Sequence, residues 1–280
     1  MPPNVGNIEP KGRTPQFVGI SREHHAGKKW QRSTGYGFAS TSMLAPVVGV
    51  EIARAALAMP LAFFLEADRF VFAAVLSLVP GHNMMVAPDG RWLGGYIPAC
   101  FRAYPFALLP QPGTDQTVLC IDAASGLLVE ANSAGENFFD QDGNVTPDLK
   151  QTFDFLKGWE RSRKATDVAV SALAESGVIQ AWPITLKTGE ADQTIAGLHR
   201  IDEAALNALS DDAHLKLRKA SALPIAYAQM LSMGQLGIFE QLARLQAQLR
   251  AQQTSSLVAA LPENIDSLFE MPGDDIVRFR

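Results

Sequence analysis

The chain has 280 residues, 47% of them hydrophobic and 19% charged, the balance of an ordinary globular protein long enough to bury a sizeable core. A net charge of −5 gives nucleic acid or an anionic lipid surface no electrostatic reason to bind. Two cysteines, Cys100 and Cys120, are too few for a disulfide framework.

Residues 1–16 are rich in proline and glycine, show no periodic pattern and read as a flexible arm. Residues 11–32 form a basic head, with Lys11, Arg13, Arg22, Lys28, Lys29 and Arg32 against Glu23, while acids dominate the last residues of the chain. Two readings fit this asymmetry: head and tail pair within or between chains, or both are solvated. Phe17 to Ile20 suits a short strand, and Ser21 ahead of Glu23, His24 and His25 opens a short polar helix or turn. Between 36 and 128 the texture is β, interrupted by an Ala/Leu-rich helix from Glu51 to Met59 that Pro60 ends. Two apolar runs, Leu61–Leu65 and Phe70–Val79, flank Glu66-Ala67-Asp68-Arg69. Pro88-Asp89-Gly90 reads as a turn, and Thr117 to Ile121 as a strand with a turn behind it. Short strands joined by tight turns predict an antiparallel meander with the helix packed on one face.

From 145 the periodicity becomes helical. Pro147–Trp159 and Asp167–Ser176 read as two helices, the second ended by Gly177. Gln193–Ile201 reads as a strand, and Asp202 as the cap of a helix over Ala204–Leu209. A long final helix is expected from about Pro224 to Gln253. Along it Leu231, Ile238, Leu242, Leu245 and Leu249 form an apolar seam, either packed on the parent domain or joining a partner chain as an oligomer. Ala251–Ala260 looks like a linker before an acidic tail. The fold class is therefore α+β: a sheet-rich region over 17–128 and a helix-rich region over 145–253 in one domain, with linker and tail over 254–280.

Two stretches are long enough to test as membrane spans. Residues 43–65 carry Glu51 and Arg54 between Pro46 and Pro60, and residues 70–88 contain a Pro-Gly-His-Asn turn. A charge at bilayer depth costs at least ~2.5 kcal/mol, so neither is expected to insert. The start of the chain lacks the apolar core of a signal peptide, and a soluble, cytoplasmic protein is expected.

The chain lacks GxGxxG, GxxxxGK[ST], GxSxG, HExxH and CxxC, so no cofactor or metal is expected and catalysis resting on those devices loses support. Asp140, Asp142, Asn144 and Thr146 imitate the start of a calcium loop. Val145 and Gln151, however, stand where that loop needs Gly and a bidentate Glu, so a helix-capping turn is expected instead. The adjacent His24 and His25 diverge on either a helix or a strand and cannot easily share a metal. Both cysteines lie in apolar runs, where a thiol behaves as a small hydrophobe. Arg102, between Phe101 and Tyr104, has two readings: a planar fork for a carboxylate or phosphate, or a structural partner for a core acid such as Glu51 or Glu66. A pocket around Arg102, His24, His25, Glu51 and Trp92 is the candidate ligand site.

Tyr96-Ile-Pro98-Ala followed by Arg102-Ala-Tyr-Pro105-Phe106 resembles the signature of the SapC family, and Gly81, Asn83 and Asp89-Gly-Arg-Trp92 resemble the block that precedes it. Pro46, Glu51, Phe138-Phe139-Asp140, the Gly197–Asp202 segment and Ser232 agree, so that the resemblance covers roughly residues 15–250. The family is distinct from the peptide-transporter permease of the same name. The resemblance implies an accessory role in nutrient uptake or its regulation, since such proteins accompany outer-membrane receptors, and it supplies no reaction or catalytic residue. A non-catalytic binding or assembly component is the leading expectation. The alternatives are an enzyme or small-ligand binder at the Arg102 pocket and a surface-layer structural protein.

Overall fold

The computed structural model describes residues 14–260 apart from 112, 115, 189 and 190. Most of the expected arm and all of the acidic tail lie outside the described residues. The chain is α+β, with antiparallel sheets and long helices toward its C-terminal end.

The architecture is organised around one hairpin. β4 (Leu61–Glu66) and β5 (Arg69–Val75) pair from Leu61↔Ala74 to Glu66↔Arg69. Only Ala67 and Asp68 separate them, with φ of 45° and 62°. Positive φ at both central residues is the hairpin turn whose twist matches the strands it joins. β3 (Leu44–Pro46) flanks β5, and two strands from the far end of the chain complete the sheet beside β4: β13 (Leu198–Ile201), then β10 (Ile179–Ala181). A single meander over 36–128 is thus not what forms. The sheet-rich half recruits β13 and β10, and its remaining strands leave for smaller sheets. One of these is β1 (Phe17–Gly19), β7 (Thr117–Asp122) and β6 (Phe106–Pro110). The other is β8 (Leu128–Glu130), β2 (Lys28–Trp30) and β9 (Glu136–Asn137). β11 (Ile184–Thr188) and β12 (Ala191–Ile195) form a ribbon of their own.

Helices cover the large sheet. α1 (Arg22–His25) is the short polar turn expected, with the Ser21 hydroxyl accepting from the His24 N–H at 3.3 Å. α2 (Ile52–Ala58) follows a 3-10 turn over Gly49–Glu51, and α3 (Ala99–Arg102) is a single turn. α4 runs unbroken from Pro147 to Glu175, where the sequence predicts two helices. Its charged middle is a solvated face, not a gap: Arg163 binds Glu160 and Asp167, each at 2.7 Å, three and four residues away. α5 (Glu203–Asn207) is capped by Asp202 as expected, and α6 (Asp211–Lys219) by Ser210.

The final helix is two helices. α7 (Leu223–Ser232) and α8 (Ile238–Ala260) are separated by a 3-10 segment over Met233–Gly237, where Gly234 and Gly237 weaken helical order. α8 continues to Ala260, through residues expected as linker. The break rotates the seam. Leu242 is buried and Ile238 and Leu249 are half-buried, but Leu231 is 79% exposed and Leu245 is also exposed, while Phe239 and Gln246 turn inward. Gln246 donates from Nε2 to the Met84 and Val86 carbonyls at 3.0 and 2.8 Å, which ties α8 to the 83–86 loop. Among the described residues no helix is long and apolar enough to cross a membrane.

Two clusters of buried side chains result. The larger surrounds the five-stranded sheet. The smaller gathers Trp30, Ala103, Phe106, Ile121, Phe138, Leu149 and Leu156 between the small sheets and the start of α4.

Candidate functional site

The site is built by the segment from 83 to 106. Asn83, fully buried, spans from the Ala39 carbonyl (3.0 Å from its Nδ2) to the Met85 N–H (2.9 Å from its Oδ1). Beyond it, Val86 bridges Trp92 across the Pro88–Arg91 turn, and Gly90 takes a φ of 85°. The Gly90 carbonyl accepts the Tyr36 N–H at 2.7 Å. A Cβ at Gly35 would stand 3.0 Å from that same oxygen, tight enough that a larger residue would push the two loops apart. Trp92 packs edge-on against Tyr36 at 5.5 Å and tilts toward Phe101 at 5.9 Å. Its indole Nε1 donates to the Tyr96 carbonyl at 2.8 Å, fixing the next strip of chain.

That strip delivers Arg102 through a relay. Glu51 is 4% exposed, and its carboxylate accepts three hydrogen bonds. They come from Val48 N–H at 3.1 Å, Ala99 N–H at 2.8 Å and the Tyr96 hydroxyl at 2.8 Å. Arg102 Nη2 then donates to the Tyr96 hydroxyl oxygen at 3.1 Å. Arginine and glutamate are therefore linked through tyrosine and do not touch. Burial, with the Glu51 hydrogen bond and charge behind it, pushes the Tyr96 hydroxyl up to about 12, so it stays protonated at neutral pH. The Arg102 guanidinium also lies over two rings, 5.7 Å from the Tyr96 centroid and 5.4 Å from that of Phe155 on α4. Among the described residues Arg102 forms no ion pair, and most of its N–H donors remain uncommitted.

Arg102 lines a cleft of about 200 Å³ whose other walls include Trp30, Arg32, Tyr36, Phe38, Phe101 and Tyr104. Phe38 and Tyr104 stack at 3.8 Å, and Trp30 meets Phe106 edge-on at 4.9 Å. Arg32 lies over the Trp30 ring at 5.3 Å and donates to Asp148, at the start of α4, at 2.6 Å. Trp30 is 3% exposed, yet its indole Nε1–H has no acceptor among the described residues. A buried donor left unpaired costs about 1–3 kcal/mol.

The residues singled out from the sequence separate here. Arg102 lines the cleft, Glu51 stands behind it through Tyr96, and Trp92 braces the wall from outside. The histidines lie elsewhere. His24 is exposed on α1, whereas His25 is buried against Phe138 at 5.1 Å, where burial pushes its imidazole pKa down. Neither lines the cleft. Burial also raises both cysteine thiols, which leaves them as apolar packing groups and not nucleophiles. Asp140 Oδ1 accepts the Asn144 N–H at 2.7 Å within the 140–146 loop, and Gly143 has a φ of 80°, the geometry of a tight turn. Trp30, Arg32, Tyr36 and Phe38 are the residues that sequence reasoning missed. The run Trp30-x-Arg32 followed by Tyr36-x-Phe38 is their only local signal.

A family model described as SapC matches residues 20–238. The chain belongs to the SapC family. The match takes in β2, the 83–106 segment and α4, so every side chain named in the cleft falls inside the SapC region. No curated protein and no solved structure matches the chain.

Proposed function

We propose that this SapC protein is a non-catalytic binding component that holds an anionic group in the aromatic cleft at Arg102. The observation that carries the reading is the state of Arg102: fixed by two rings and one hydrogen bond, without a carboxylate partner among the described residues, and on the wall of a cleft. A guanidinium held in place but not neutralised is prepared for a planar anion, because little of its rotamer freedom remains to be lost on binding. Among the described residues the cleft's lining holds no histidine, cysteine or carboxylate, which favours binding over acid–base or nucleophilic chemistry. An accessory role in nutrient uptake or its regulation, in the cytoplasm, is compatible with a protein that senses or carries a small anion.

Native mass spectrometry of the chain isolated from its own cells tests the reading. A noncovalent anionic adduct is expected on the wild type and is lost in Arg102→Lys, which keeps the charge but not the planar fork. An unadorned wild-type mass, or an adduct that persists in Arg102→Lys, overturns it.

A further inference from the structure

We infer that the chain forms a reciprocal dimer in which residues 261–271 of one copy seat on the outer face of α2 and α7 of the other; this goes beyond the role proposed for the cleft and does not rest on it.

The receiving face comes first. Val50, Leu57 and Leu231 are 84%, 80% and 79% exposed, more than any other large apolar side chain among the described residues. Val50 sits in the turn that leads into α2, Leu57 on α2 and Leu231 on α7, with the exposed Tyr227 one turn before it. α2 and α7 pack on each other, and the Leu61 N–H donates to the Ser232 hydroxyl at 2.9 Å, which brings the end of α2 beside Leu231. α7 carries no charged residue and α2 carries only Arg54. Gln229 and Ser232, the polar side chains of the second half of α7, both turn inward. A helix without a charged side is normally a covered one, and apolar side chains concentrated on a surface mark a contact.

The occupant follows from α8. Arg250 to Ser255 are exposed without a break, whereas a helix lying along a domain hides one residue in every three or four. This end of α8 therefore leaves the domain and carries the sequence after Ala260 away from it. In that sequence Leu261, Ile265, Leu268 and Phe269 recur at the spacing of one apolar helix face, with Glu263, Asp266 and Glu270 between them. An acidic amphipathic segment matches an apolar face whose one charge is Arg54. Length decides which copy supplies the face. The 23 residues of α8 span about 35 Å, while the chain from Ala260 to Phe269 reaches at most about 30 Å. Phe269 thus falls short of the α7–α8 junction beside which Leu231 lies, and the face it meets is that of a second copy. Exchange of both arms closes the pair with two-fold symmetry.

Sedimentation velocity over a range of concentrations tests this on the full chain, as wild type and as two variants. Leu231→Asp damages the face at an exposed position, and Leu268→Asp damages the arm outside the described residues, so neither touches the core. The wild type is expected as a dimer. Each substitution enters a reciprocal dimer twice, so a tenfold loss per contact becomes a roughly hundredfold loss of dimer affinity for either variant alone. Mixed in equal amounts, the two variants should recover a dimer, because one of each keeps an intact arm on an intact face. A monomeric wild type overturns the proposal. So does a dimer that survives either substitution: survival in Leu268→Asp means that the face pairs with itself, and survival in Leu231→Asp means that the arm docks elsewhere. Variants that stay monomeric when mixed overturn the exchange.

Discussion

Two buried side chains of this molecule, Gln229 in the large core and Trp30 in the smaller one, handle their polar groups in opposite ways. In the large core, Gln229 of α7 is fully buried and both of its polar atoms are bonded: its Oε1 accepts the Ile201 N–H at 2.8 Å and its Nε2 donates to the Leu61 carbonyl at 3.1 Å. One amide thus ties β13 and β4 to the helix above them. Ser232, one turn on, accepts the Leu61 N–H at 2.9 Å and donates to the Gln229 carbonyl at 2.7 Å. The aromatic region does the reverse. Trp30 Nε1–H is buried without an acceptor among the described residues, and Arg102 keeps donors in reserve. Paired groups of the Gln229 kind hold a fold together, and the unpaired ones are not confined to one region: Gln246 Oε1 and His199 Nδ1 also lack a partner among the described residues.

Mutations should separate the two regions by size of effect. Gln229→Ala strands two buried backbone groups, and a loss of about 2–5 kcal/mol is expected in chemical denaturation; an unchanged midpoint would mean that the large core is not closed as described. Tyr96→Phe removes one of three donors from a buried carboxylate and should cost about 1–3 kcal/mol. Its pH dependence carries a sign. The Tyr96 pKa is raised from 10.0 to about 12 in the fold, so the stabilisation is complete below pH 10 and is lost as pH rises toward 12. Tyr96→Phe should therefore flatten the difference in stability between pH 9 and pH 12, and parallel curves for the two proteins would break the relay. At the hairpin turn, Ala67→Gly relieves a left-handed residue and should stabilise by up to about 1 kcal/mol, read as a rise in melting temperature. Arg102→Lys should be smallest, within about 0.5 kcal/mol, because the side chain is exposed and its work is not structural.

Sequence reading reached the fold class, the two apolar runs that become β4 and β5, and the Asp202 cap, because period, turn chemistry and propensity act over a few residues. It failed where distant segments decide. Nothing near Leu198 announces that β13 will lie beside β4, and the break after Ser232 depends on two glycines inside an otherwise helical pattern. In the site, Glu51 and Glu66 were read as direct partners for Arg102, but the structure joins Glu51 to it only through Tyr96, a relay that exists only once the 3-10 turn at Glu51 and the 96–102 strip meet. His25 was misplaced for a similar reason: its ring meets Phe138, which lies far along the chain and is brought in where β9 pairs with β2.

The central claim is that Arg102 is held in place, without a carboxylate partner among the described residues, to receive an anionic group in the cleft. The most direct test is native mass spectrometry of the chain isolated from its own cells, compared with Arg102→Lys. The account predicts a noncovalent anionic adduct on the wild type that Arg102→Lys loses. An unadorned wild-type mass, or an adduct that persists in Arg102→Lys, would contradict it.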